Sequence, residues 1–411
     1  MRSYVDHQGL NPTKLHDLIK SLSIVEQEDI FQAIYDVRNS DDNTILHFAA
    51  LLDDEITSDK ILQRLWPKSR LIALKWKNLL GQTPISIAAS KGRLSLMKII
   101  LGSVEKVHWH EILQMWDNSG ETAIHSAVRS GCSDTLEHIL DYETSQETDR
   151  FFLLSHKGRF SQTPLHIAAE EGCERMVMLM RNATRQKNWL QIIFIRDANG
   201  CTPIDLAVLK AHDEIVKRLL HNVDSDKLFD ALKKADSVCQ TVIYESFSLG
   251  FAVSAKYILN SLAPEQRLRV LCCDNLSDKS VLHELLLIQP LPVELDAAID
   301  CIVDCLPQDQ LFEFLRKPDD DGKTVIHHAA GAGKREAILT LLKPFQLRRQ
   351  REILLVESID HQKASDCAKE HWHIELADEL EKMKFKNLKG IQFFSSSMLK
   401  GIQYFSSSMS G

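Results

Sequence analysis

FSQTPLHIAAEEG, Phe160 to Gly172, sets a threonine, a proline and a histidine at the head of an alanine-rich stretch that closes on glycine. Proline suits the first position of a helix, whose amide has no intrahelical partner, and a preceding threonine is a good N-cap. Gly172 supplies the left-handed turn that ends such a helix. The stretch reads as a helix of about two to three turns, too short to hold alone in water and therefore dependent on neighbours.

The same pattern recurs along the chain. It begins with DDNTILHFAA at Thr44 and continues with GQTPISIAASKG at Thr83, GETAIHSAVRSG at Thr122 and GCTPIDLAVLKA at Thr202. Weaker copies are QTVIYESFSLG at Thr241, KSVLHELLL at Ser280, GKTVIHHAAGAG at Thr324 and KASDCAKEHWH at Ala364. Most spacings are 39 residues, the rest 40, 41 and 44, so the chain is read as nine copies of one unit. Two positions after the threonine stands an aliphatic knob: Leu46, Ile85, Ile124, Leu165, Ile204, Ile243, Leu282 or Ile326. Three further on is a residue small enough for helices to approach: Ala49, Ala88, Ala127, Ala168, Ala207, Ala329 or Ala368.

These motifs resemble the ankyrin-repeat pattern, over roughly residues 37–383. The resemblance implies a mainly all-α fold, an ankyrin-repeat α-solenoid in which each unit is a short β-hairpin finger followed by two antiparallel helices. It also gives His47, His125, His166, His283 and His327 a structural role, the imidazole bonding to backbone and to the threonine. Helix-diameter spacing, about 10 Å, separates such histidines too widely for one metal ion.

Ankyrin units are about 33 residues long, and the longer period here points to an added element. Segments before each finger, such as 70–74, 151–154, 227–232, 310–315 and 352–356, place apolar residues at i, i+1 and i+3 or i+4, which predicts an extra short helix per unit. Residues 1–37 are read as an N-terminal helical cap, 38–381 as the solenoid and 382–411 as a basic, Ser-rich tail. Irregular places are expected at 234–241, at Gln289 to Pro292, and in the ninth unit, where Asp366 is read at the knob position. The tail carries an eleven-residue duplication, LKGIQFFSSSM and LKGIQYFSSSM. Its readings are a disordered end, a basic aromatic membrane-surface contact, or a targeting signal.

Composition narrows the function. The 411 residues are 44% hydrophobic and 26% charged, with a net charge of −8, so a nucleic-acid partner is not expected. The start, MRSYVDHQGL, shows no secretory signal, and residues 281–295 are too short and polar to span a bilayer. Nine cysteines suggest reduced thiols that pack as small hydrophobes rather than a disulfide framework. No spacing matches a zinc site, and GlyAlaGlyLys at 331–334 lacks the strand and the hydroxyl residue of a phosphate loop. The tryptophans 76, 109, 116 and 189 are read as core.

The expected function is a non-catalytic protein-interaction scaffold, cytoplasmic and monomeric, without cofactor or metal. The resemblance places partner contacts at finger tips (Leu80, Gln82, Ser119, Glu121, Gln162, Asn199, Asp320, Lys323) and at the ends of first helices (Ser90, Lys91, Arg129, Ser130, Glu170, Glu171, Leu209, Lys210). Long divergent arrays of this kind are also loosely similar to effectors that intracellular bacteria deliver into host cytoplasm. The competing readings are an enzyme with a Cys/His cleft and an adaptor or inhibitor unrelated to secretion.

Overall fold

The computed structural model describes residues 31, 32, 34, 35, 38–141, 147–234, 238–272, 279–287 and 294–385. Most of the expected N-terminal cap, the interruption at 288–293 and the duplicated tail lie outside the described residues. Two compact units divide the chain, residues 1–223 and 224–411. Each is a stack of short helices.

In the first unit the pattern at each threonine becomes a helix. Ile45–Leu52, Pro84–Ser90, Ala123–Arg129, Pro164–Glu170 and Pro203–Leu209 each follow an N-cap threonine in extended conformation, with proline first wherever the sequence supplies it. A second helix runs back against each: Glu55–Arg64, Leu94–Gly102, Ser133–Leu140, Glu174–Asn182 and Asp213–Leu220. The knobs Leu46, Ile85, Ile124, Leu165 and Ile204 are at most 2% exposed, and the alanines three positions on are fully buried. Burying a leucine-sized side chain contributes about 1.5–3 kcal/mol, so this recurrent row is the core that holds the stack.

The extra helix of the longer period is present: Pro67–Leu74, Trp109–Leu113, Glu147–Ser155 and Gln186–Ile193 in the first unit. Ser225–Lys234, Pro264–Cys272, Gln308–Arg316 and Leu347–Leu354 are its copies in the second. Its apolar face is buried at Leu74, Leu113, Leu154, Ile193, Leu271, Leu315 and Leu354. It also ties repeats together by a device no motif announced. Arg70 donates from Nε to Leu65 O at 2.8 Å and from Nη1 to Ser103 O at 3.0 Å, bonding carbonyls at the C-terminal ends of the second helices of its own and the next repeat. Arg267 does the same to Leu262 O and Cys305 O, at 3.0 and 2.8 Å.

Three local expectations change. The fingers are tight turns rather than paired strands; the one antiparallel bridge among the described residues joins Trp116 and Thr122. In the sixth copy the helix Val238–Ser248 begins before Thr241, which lies within the helix instead of capping it. In the ninth copy the cap is Lys363, one residue earlier than read, so Asp366 occupies the histidine position and not the knob position; its Oδ2 accepts from Lys363 N at 3.0 Å. Ser365 takes the knob position and is fully buried, with Lys384 Nζ donating to its hydroxyl at 2.6 Å. The last helix is Ile374–Phe385.

Candidate protein-binding surface

Five of the described fingers are closed at the base by an amide-to-carbonyl bond. Asn78 N donates to Gln82 O, Asp117 N to Glu121 O, Gly158 N to Gln162 O, Asp197 N to Cys201 O and Asp319 N to Lys323 O, at 2.8–3.0 Å. An Asn or Asp at the first of these positions tightens the turn. Asp117 Oδ1 accepts from Ser119 N and Glu121 N at 2.8 and 2.9 Å, and Asp197 Oδ1 from Asn199 N and Cys201 N at the same distances. Several neighbouring tips are joined, Leu79 N to Asp41 O at 2.8 Å, Asn118 N to Leu80 O at 3.0 Å and Ala198 N to Phe160 O at 2.8 Å.

The histidines lock the fingers from beneath. His166 Nδ1 accepts from Thr163 N at 3.1 Å and lies 2.7 Å from Thr163 Oγ1. A backbone amide only donates, so Nδ1 carries no proton; Nε2 carries it and donates to Cys201 O, in the next finger, at 3.1 Å. His47, His125, His283 and His327 repeat this arrangement, reaching Gln82 O, Gln162 O, Lys323 O and Gln362 O. The tie therefore runs between repeats, beyond the link within one repeat that the sequence implied. Burial holds the imidazoles neutral, lowering His47, His125, His166 and His283 to about 4, and His327 also falls. A proton on Nδ1 would face the threonine amide.

Each unit presents finger tips and helix ends. Leu80, Ser119, Asn199 and Asp320 are exposed at tips, and Lys91, Arg129, Glu171, Leu209 and Lys210 at the ends of first helices. Ser90, Ser130 and Glu170 are half-buried, as are Gln82, Glu121 and Lys323 in the fingers. Ser130 is engaged with Ala89 O of the preceding repeat at 3.1 Å, and Arg129 and Lys210 pair with Glu121 and Glu170. Gln162 is buried, its carbonyl taken by His125 and its amide donated to Glu170 at 3.2 Å.

Trp109 and Trp189 are core, at 8% and 0% exposure, whereas Trp116 is 53% exposed and is not a core residue. It sits directly before a finger, stacked on His156 with ring centroids 5.7 Å apart. Phe160 is 60% exposed at a tip whose backbone is left-handed at both Phe160 and Ser161, with φ of 55° and 57°. Motif reading placed Trp116 in the core and gave Phe160 no role, because neither is part of the repeated motif.

The thiols behave less uniformly than expected. Cys301, Cys305 and Cys367 are buried, but Cys132, Cys173, Cys201 and Cys272 are half-exposed. The pair Cys301 and Cys305 faces itself at 4.0 Å, and Cys305 Sγ lies 3.7 Å from Asn260 Oδ1. Bonding to Cys305 and burial push the Cys301 thiol up. An open cleft in the second unit, with a volume of about 390 Å³, is lined by Phe312, Glu313, Arg316, Lys317 and Val356. No described helix is long and apolar enough to cross a membrane.

The family model for ankyrin repeats, three copies, matches residues 58–150 and 146–228. Residues 58–228 carry ankyrin repeats. Ankyrin repeats support a role in binding between proteins. Similarity extends to transient receptor potential cation channel subfamily A member 1 of Homo sapiens, 31% identical over 37% of this chain and 12% of the channel subunit. The Drosophila melanogaster counterpart is 24% identical over 79% of the chain and 25% of the subunit. A probable 26S proteasome regulatory subunit, p28, of Saccharomyces cerevisiae is 25% identical over 41% of the chain and 68% of that protein. The chain thus spans a quarter or less of the length of the channel subunits it matches.

Proposed function

We propose that this ankyrin array is a non-catalytic scaffold that binds a partner protein through its finger tips and first-helix ends. The observation that carries the reading is the pairing of rigid support with exposed apolar tips. Buried Thr and His groups and a tip-to-tip amide ladder fix the fingers, while Leu79, Leu80, Phe160 and Ile359 stay at least 60% exposed on them. Large apolar side chains held out on a preorganised backbone give up little entropy on binding. The p28 relative, named as a regulatory subunit of a protein assembly, is consistent with such a role.

The test compares capture from lysate by the unaltered chain and by Leu80→Asp with Phe160→Ser. A protein captured by the first and lost from the second, with both melting alike, supports the proposal. Capture indifferent to tip and helix-end substitutions overturns it.

A further inference from the structure

One column of the first unit departs from the rest of the surface. The residue directly before each finger is Arg38, Lys77, Trp116, Lys157 and Arg196 in five successive repeats, preceding the turn residues Asn39, Asn78, Asp117, Gly158 and Asp197. The column is physically continuous in places. Lys77 Nζ donates to Trp116 O at 2.5 Å and lies 5.5 Å from the Trp116 ring, and Lys157 Nζ donates to Arg196 O at 2.8 Å.

Charge on this column is largely uncompensated. Arg38 is paired with Asp42, but among the described residues no carboxylate lies within ion-pair distance of Lys77, Lys157 or Arg196, whose bonds go to backbone carbonyls. The acids beside them are engaged by their own fingers. Asp117 and Asp197 accept from amides of their own fingers, and Asp197 is 7% exposed. In the second unit the same position holds Pro318 and Glu357, and the tips carry Asp320, Asp321 and Asp360. A chain of net charge −8 thus concentrates cations around one exposed tryptophan.

We infer that Lys77, Trp116, Lys157 and Arg196 form a docking track for an extended acidic segment of a partner protein in polyproline-II conformation. Stacked helices repeat at about 8–10 Å. A polyproline-II chain has three residues per turn and rises about 3.1 Å per residue, so side chains at i, i+3, i+6 and i+9 share one face and recur at roughly 9 Å. An acidic residue then meets Lys77, a proline or other apolar residue meets the Trp116 ring, and acids meet Lys157 and Arg196. An extended strand does not fit this spacing, because its i and i+3 side chains point to opposite faces. The track names a partner class for the interaction surface and rests on that reading.

Fluorescence anisotropy of a labelled ten-residue peptide, Glu-Ser-Ala-Pro-Ser-Ala-Glu-Ser-Ala-Glu, tests it on the full chain. Binding is expected to weaken with salt and to fall at least tenfold in Lys77→Glu/Lys157→Glu/Arg196→Glu. It should also fall, by less, in the Gln triple variant, which keeps the side-chain stems should the reversed one misfold. Trp116→Phe should remove the peptide-induced change in tryptophan emission.

Equal binding by a peptide of the same composition with acids at i and i+2 overturns the inference, as does tighter binding of a single-stranded oligonucleotide of equal charge. Self-association of the chain abolished by the same substitutions makes a second copy the occupant and also overturns it. If the peptide fails while tip variants still lose a captured protein, the track falls and the scaffold stands.

Discussion

Thr163 and Thr202 open the first helices of neighbouring repeats, yet the residue three positions on does different work in each. His166 caps the Thr163 amide with one ring nitrogen and bonds Cys201 O in the next finger with the other. Asp205 accepts from Thr202 N at 2.6 Å, and its carboxylate has no proton to donate onward. Both are buried, at 0% and 4% exposure. The cap needs one acceptor, whereas the tie between repeats needs a side chain with polar atoms at opposite ends, one accepting and one donating. Burial acts on the two in opposite senses: it lowers His166 to about 4 and raises Asp205, because each charged form is the one disfavoured.

Acid should have the largest effect on this contrast. Unfolded histidines take up protons below about pH 6.5, while the folded ones resist until about 4, so stability is fully present above that range and declines through it. Each contributes on the order of 3 kcal/mol when the loss is complete. Four of them together rival the typical stability of about 5–15 kcal/mol, so the urea midpoint should fall steadily from pH 7 toward pH 4.5. An unchanged midpoint would break the account of the tie.

Leu165→Asp and Ile204→Asp place a charge at the knob under each helix. Each should cost about 3–5 kcal/mol in a denaturant melt, and a small effect at one would mean that the two repeats do not share a register.

The contrast itself is measured by His166→Ala against Asp205→Ala. The first strands the buried Thr163 amide and removes one of two bonds to Cys201 O, which keeps Asp197 N, and should cost about 2–3 kcal/mol; the second removes a cap alone and should cost about 1 kcal/mol. Equal losses would show that Asp205 supports more than its own helix. Because the raised Asp205 favours the folded state only while protonated, its contribution is present below about pH 3.8 and is lost as pH rises through its folded value. Asp205→Asn should therefore help more at pH 7 than at pH 4, opposite to any histidine substitution.

The smallest effect concerns the turns that follow. Gly172 sits at φ +74°, and Ala211 holds the same place at φ +59°. Ala211→Gly should stabilise by about 1 kcal/mol by relieving a left-handed alanine. Gly172→Ala should cost more than that, since its Cβ would lie 2.8 Å from the His212 ring.

Caps, knobs, alanines, the closing glycines and the added helix were legible in the sequence because each obeys a local rule that repeats at 39 residues. Asp366 was placed one residue off, since a weak copy offers few anchors and Lys363 does not look like a cap. The finger strands expected from the resemblance reduce to side-chain-capped turns, where one carboxylate replaces several ladder bonds.

Sequence alone determined that short helices must stack, because none of them is long enough to persist alone and each carries one apolar row at fixed spacing. Only the tertiary structure decided what the stack presents to solvent. Trp116, Lys77, Lys157 and Arg196 are scattered over about 120 residues of chain and share no motif; they become one track because stacking brings every thirty-ninth to forty-first residue side by side.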